Sequence, residues 1–293
     1  MWRSFTTEFS PRFCAAMPWL MRLDFFLAVA GKEFSTPSVI FSRVVIGAII
    51  LVPIAIKRGD FKPALKAWPW VLAFAAIEMI GPWFLLTEAE RHVPSGLAGL
   101  MIATVPIFGM LIAYFFQGDK SVRHPKTLAG LAIGFAGVVL LVGIDSLTGT
   151  FEPIYLLMLV LSALGYAIAP AIVSTKMKHV PAAGMMSLSL LIVAAFYAIP
   201  ALSSLPGEFA AGPRFESVAA LIGLGVISSA LAFVMFFELV KEVGSARATL
   251  VTYPNTAWAL LLGIVFLHEP ITIGLLTGLP LVAVGSYLAL RRH

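Results

Sequence analysis

The sequence predicts an all-α membrane protein: ten transmembrane helices built as two inverted five-helix repeats, with both termini in the cytoplasm. Three observations predict it, namely composition, a series of apolar runs of bilayer length, and a self-similarity whose loop charges invert. Apolar residues make up 60% and charged residues 12% of the 293, whereas soluble domains carry about 25% charged residues. So few charges cannot cover a water-facing surface of this size, and lipid is the solvent that remains.

The apolar runs follow in order. A bilayer core of about 30 Å needs about 20 helical residues at about 1.5 Å each. The first run, 13–30, is interrupted by Arg22 and Asp24. Its broken apolar core, with no polar domain after it, separates it from a cleaved signal peptide. Cleaner runs follow at 39–56, 68–86 and 95–116, then at 128–144, 154–174 and 185–205, and finally at 218–240, 248–267 and 273–290. Trp68, Trp70 and Tyr287 lie near span ends, where aromatic rings anchor at the interface. The connections are short, so one compact membrane domain is expected. The lone Cys14 excludes an internal disulfide framework.

Orientation follows from the basic residues outside the spans. Arg3, Arg12, Lys57, Arg58, Lys62, Lys66, Lys120, Arg123, Lys126, Lys176, Lys178, Lys241, Arg247, Arg291 and Arg292 fall on the side of the N-terminus, fifteen in all, against Lys32, Arg91 and Arg214 on the other. The richer side is cytoplasmic by the positive-inside rule. The net charge of +5 is thus a topology signal, and no nucleic-acid partner is implied.

Repetition appears when "WFLLTEAERHVPSGLAGLM" is laid over "FVMFFELVKEVGSARATLV" at an offset of 150, which superposes Glu88 on Glu238, Ser95 on Ser245 and Ala98 on Ala248. At 148, Gly130 and Gly137 fall on Gly278 and Gly285. The halves are then 1–146 and 147–293. Five spans per half is an odd number, so the second half is inverted. The basic loop Lys57 to Lys66 accordingly corresponds to a lysine-free loop around Glu208.

The stretches "RHVPSGLAGLMIATVPIFGMLIAYFF", "GDKSVRHPKTLAGLAIGFAGVVLLVG", "EFSTPSVIFSR" and "GSARATLVTYPNTAWALLLGIVFLHEPIT" resemble helices of the drug/metabolite transporter superfamily, in its ten-helix EamA-type branch. The resemblance implies export of small solutes across a bacterial cytoplasmic membrane. Two departures stand out. "MPWLMRLDFF" has no glycine after Trp19, where the branch opens on a Trp-Gly-Ser type motif. Pro254 also lies two residues before the branch's usual ninth-helix proline position, which is Thr256 here.

Proline inside a span frees a carbonyl four residues back: Pro82 frees that of Glu78, Pro106 of Ile102, Pro170 of Tyr166 and Pro254 of Leu250. In hydrocarbon such breaks sit where protein or cavity water meets the freed group, so a shared cavity or simple packing kinks explain them. The ionisable residues within spans are Arg22, Asp24, Arg43 and Glu78. Glu78 lies ten residues into its span, about 15 Å deep at about 1.5 Å per residue. A carboxyl there faces a cavity, meets a cation or keeps its proton. It is therefore read as a proton-coupling or substrate-amine site, or else as an ion-pair partner of Arg43 or Arg22. Trp83, Thr104, Tyr166, Tyr253, Asn255 and Trp258 complete the candidate substrate-binding set, with Ser162, Ser228 and Thr252 as further polar residues inside spans. Serine and threonine also bond their own helix backbone, which is the packing alternative.

Enzyme signatures are missing: the five histidines fall in loops or termini, with no HExxH, P-loop or GxSxG. Neither cofactor nor metal is called for. The expected function is secondary transport of small organic metabolites or amino-acid-like solutes by alternating access through a midplane cavity between the repeats. It would be coupled to protons, to an exchanged solute, or to neither. A non-transporting scaffold or intramembrane enzyme is the alternative. The glycines at 130, 134, 137, 278 and 285 serve helix packing within one chain or in a homodimer.

Overall fold

The computed structural model describes residues 29–31, 33–89, 92–93, 98, 101–118, 123–142 and 152–251, with 277–278, 280–281, 284–285 and 288 near the C-terminus. Among these, every regular element is a helix. In chain order they are α1 (Thr36–Arg58), α2 (Phe61–Lys66), α3 (Trp68–Ala75), a first π segment (Ala76–Ile80), α4 (Gly81–Ala89), α5 (Val105–Gln117), α6 (Pro125–Val142), α7 (Pro153–Lys176), α8 (Ala182–Ala210), α9 (Phe215–Gly223), a second π segment (Leu224–Ala232), α10 (Phe233–Val243), α11 (Ser245–Ala248) and a 3-10 turn (Thr249–Val251).

Among the described residues, five continuous stretches are long and apolar enough to cross a membrane: Thr36–Arg58, Trp68–Ala89, Pro153–Lys176, Ala182–Ala210 and Phe215–Val243. Val105–Gln117 and Pro125–Leu140 are apolar but shorter. The expected first span lies almost wholly outside the described residues, as do most of the ninth and tenth. α1 shows how such an element is bounded. Pro37 stands in its first turn, where no intrahelical N–H is required. Gly59 closes it in the left-handed conformation at φ +76°, with Asp60 N–H on the Ala55 carbonyl at 2.9 Å.

One expectation is corrected by α8. The sequence predicts a loop around Glu208, yet α8 runs through Pro200 and Pro206 to Ala210, 29 residues in all. At about 1.5 Å per residue that is longer than the hydrocarbon core, so Glu208 lies on the last helical turn.

The chain divides into two compact units. Among the described residues, one contains those from 85 to 175 and from 240 on, the other those from 29 to 84 and from 176 to 239, so each draws on both halves of the sequence. In the second, α1 and α8 run antiparallel. The Ser35 N–H donates to Glu208 Oε1 at 2.9 Å at one end. Gly47 faces Leu190 in the middle, and Gly184 lies against the Asp60 backbone at the other end. Two carboxylates sit on helix N-termini here, since Glu238 Oε1 accepts from the Ala182 N–H at 3.1 Å, as an anion at that end of the macrodipole should. α1 moved by the repeat offset of 150 covers 186–208, inside α8.

In the other unit α5 runs antiparallel to α11 and the 3-10 turn. Gln117 and Ser245 exchange hydrogen bonds at 3.0 and 3.2 Å, and Gly109 lies against Thr249. Gly285 meets the Gly134 backbone so closely that a Cβ would overlap it and stand 2.7 Å from the Gly130 carbonyl. These glycines pack helices within one chain.

Candidate functional site

The sequence places Pro82 four residues after Glu78, and the backbone responds one turn earlier. Pro82 has no N–H to give the Glu78 carbonyl. The ladder widens to a π segment over Ala76–Ile80, in which the Gly81 N–H bonds the Ala76 carbonyl five residues back. Such π bulges recur at functional sites. Glu78 stands in the middle of this one, 4% exposed. Its Oε2 is enclosed and has no hydrogen-bond partner among the described residues. Tyr197 of α8, 3% exposed, donates its hydroxyl to the Ile80 carbonyl at 2.8 Å and so holds the end of the segment.

Arg43 is buried too, at 3% exposure. Its Nε donates to Ser229 Oγ at 2.9 Å, and its guanidinium carbon stands 3.9 Å from the Trp83 ring centroid. That distance is cation–π contact, which strengthens when desolvated. Among the described residues no ion pair joins Arg43 to Glu78. The pairing with Arg43 offered by the sequence is therefore not the one adopted, because stacking on Trp83 and the bond to Ser229 direct the guanidinium elsewhere. Arg22 and Asp24 lie outside the described residues.

Trp83 leads to the second half of the chain. Its ring lies 5.9 Å from Phe233, the residue 150 positions later. Phe74 meets Phe237 edge-on at 4.9 Å. One partner number rises as the other falls, so these two spans are antiparallel. The second π segment, Leu224–Ala232, lies on this partner span. No proline marks it. Gly225 lets α1 come so near that a Cβ would stand 2.5 Å from Ile46. Ser228 and Ser229 occupy its centre, 1% and 0% exposed.

The remaining predicted residues belong to the other unit. The helix expected over 95–116 is broken at Ala103–Thr104, and Pro106 stands in the first turn of α5. Thr104 donates its hydroxyl to the Met101 carbonyl, and Ser162 donates to Met158 at 2.9 Å, so both bond their own backbone. Tyr166 packs with Ile102, Phe108 and Ile112 around Val105, Ala163 and Ala167, which brings it to the break. Pro170 is buried inside α7. Tyr253, Pro254, Asn255 and Trp258 lie outside the described residues. Residue-by-residue reading missed Tyr197, Ser229 and Phe233. The repeat alignment could have found Phe233, which opens the stretch laid over Trp83, whereas Tyr197 sits in the apolar run "AAFYAIP" with no local signal.

The EamA-like transporter family matches residues 23–143 and again 153–291. The "Uncharacterized transporter YvbV" of Bacillus subtilis (strain 168) is 25% identical over 87% of this chain and 83% of its own length. The "Uncharacterized inner membrane transporter YedA" of Escherichia coli (strain K12) is 27% identical over 75% of this chain and 70% of its own. The "Probable terminal-alkyne amino-acid exporter" of Streptantibioticus cattleyicolor is 26% identical over 78% and 75%. A solved crystal structure at 21% identity covers 95% of both chains with a TM-score of 0.77, a likeness of fold.

Proposed function

The chain belongs to the EamA-like transporter family, and on that premise we propose that it exports small organic metabolites or amino-acid-like solutes across the cell membrane, with Glu78 as the coupling carboxyl. It is a multi-pass membrane protein of a transporter family. The finer reading has ten spans in two inverted repeats, 1–146 and 147–293, with both termini cytoplasmic. Alternating access carries the solute through a midplane cavity between the repeats. The antiparallel α1 and α8, and the Trp83–Phe233 contact at the repeat offset, support inversion. The relative named as an amino-acid exporter supports the solute class.

One observation carries the role of Glu78: a carboxyl 4% exposed, on a π segment, whose Oε2 has no hydrogen-bond partner among the described residues. Buried polar groups are normally bonded, and an ionisable residue inside the membrane is functional by default. A proton or the solute's ammonium group supplies what the side chain lacks.

The test is uptake into proteoliposomes of a panel of labelled amino acids and small amines, with and without an imposed pH gradient. Parent protein should accumulate solute when the gradient is present. Glu78→Gln, nearly isosteric, should keep the fold and counterflow but lose accumulation. Unchanged gradient dependence in Glu78→Gln removes the coupling role. Topology is tested by cysteine labelling at positions 62 and 208 in a Cys14→Ser background, where modification of both from the same side would overturn the ten-span arrangement.

A further inference from the structure

Serines buried in helices ordinarily satisfy their hydroxyl locally, commonly on the carbonyl four residues back. Ser187 donates to Ala183 at 2.7 Å and Ser189 to Met185 at 2.9 Å. Ser229 receives Arg43, and Ser245 pairs with Gln117. Ser228 differs. It is 1% exposed, and its Oγ is enclosed with no hydrogen-bond partner among the described residues. A hydroxyl left so in a buried site is costly, and an orphaned polar group in a native structure marks something that is not there.

A second observation comes from the repeat. Ser228 is 150 positions after Glu78, the separation that relates Trp83 to Phe233, and each stands inside a π segment. Both carry an enclosed polar atom with no hydrogen-bond partner among the described residues. Glu78 precedes Trp83 by five residues and Ser228 precedes Phe233 by five. On antiparallel spans they therefore lie to opposite sides of the ring contact, each displaced along its helix by about 7.5 Å at about 1.5 Å per residue. The two orphaned groups are equivalent places in the two halves.

We propose that Ser228 lines the solute path as the counterpart of Glu78, contacting a polar head group of the transported solute on the other side of the Trp83–Phe233 contact. This rests on the transport reading given above. The hydroxyl both donates and accepts, so it accommodates an ammonium, a carbonyl or a carboxylate, whereas Glu78 selects cations and protons. Solute arriving at Ser228 supplies the hydrogen bond that the closed helix does not.

The experiment has two arms. In a Cys14→Ser background, Ser228→Cys is treated in membranes with 2-aminoethyl methanethiosulfonate, which needs water at a thiolate in order to react. Leu224→Cys on the same π segment, from a side chain 0% exposed, is the inert control, and Phe215→Cys, from one 85% exposed, the reactive one. Ser228→Cys should react and should be protected by the transported amino acid. Behaviour like Leu224→Cys overturns the proposal. In the second arm Ser228→Ala should fold at least as well as parent, since an orphaned hydroxyl is removed. Its KM for the amino acid that the parent carries fastest should rise about tenfold, the worth of one hydrogen bond, with gradient dependence retained. Parent-like KM in Ser228→Ala equally overturns it. Should parent protein move no solute at all, the transport reading fails, while the cysteine arm still decides whether Ser228 meets an aqueous path.

Discussion

Two glycines of α8 should answer the same substitution with opposite signs. At Gly184 a Cβ would overlap the carbonyl oxygen of Asp60 and stand 2.6 Å from its carbonyl carbon, where ordinary contact begins at 3.4 Å. The backbones must therefore part by more than 0.8 Å, the difference of those two distances, because the overlapped oxygen lies nearer still. Asp60 cannot drift freely, because its N–H is bonded to Ala55 at 2.9 Å as part of the α1 cap. Overpacking of this kind costs about 1–3 kcal/mol, and backbone on both sides argues for the upper part of that range. Alanine returns up to about 1 kcal/mol of helix propensity, so Gly184→Ala should destabilise by about 2 kcal/mol. At Gly207 nothing lies within 4 Å of the added Cβ, and Gly207→Ala should stabilise by about 0.5–1 kcal/mol. Unfolding of membrane proteins in detergent is seldom reversible. The readout is accordingly the temperature at which half the protein leaves the monodisperse chromatographic peak at a fixed heating time. Gly184→Ala should fall below parent, with Gly207→Ala at or above it. Equal loss in the two variants, or a Gly184→Ala protein as durable as parent, would refute the close approach of α1 and α8 at this end.

Three further predictions use the same heating assay. Tyr197→Phe removes the donor to the Ile80 carbonyl and should cost about 1–3 kcal/mol; a variant as stable as parent would mean that the π segment does not depend on this bond. Arg43→Lys keeps the charge but loses the planar contact with Trp83 and the Nε donor to Ser229, so it should lose about 2 kcal/mol; full rescue by lysine would show that charge alone matters. Outside the spans, Glu33 takes a hydrogen bond from Ser217 and an ion pair from Arg214, and these hold its carboxyl below the ordinary glutamate range. A carboxyl so lowered contributes stability that is present above its unfolded value and lost as pH falls through the folded one. The difference between parent and Glu33→Gln should thus be constant near neutral pH, begin to shrink near the unfolded value of about pH 4.3 and be lost as pH falls through the lower folded value; a difference unchanged at pH 3 would remove Glu33 as its source.

The membrane class, the five long helices among the described residues and the presence of two repeats were legible in the sequence, because each is a sum over many residues. Composition decides the solvent, and run length decides what can span. Repetition is readable since equivalent positions in two repeats face similar surroundings. The π turn at Glu78 also had its local mark in Pro82. What tertiary structure alone decided was the choice of partners. Arg43 took Trp83 and a serine 186 positions away rather than Glu78, a choice between neighbours that chain distance does not rank. The second π segment has no proline to announce it and arises where Gly225 admits Ile46 of α1. Among chemically identical serines, only packing separates those that return to their own backbone from Ser228, whose hydroxyl does not. A hydrogen bond is won or lost over less than one ångström, a length that helix periodicity does not encode and that only the approach of one helix to another fixes.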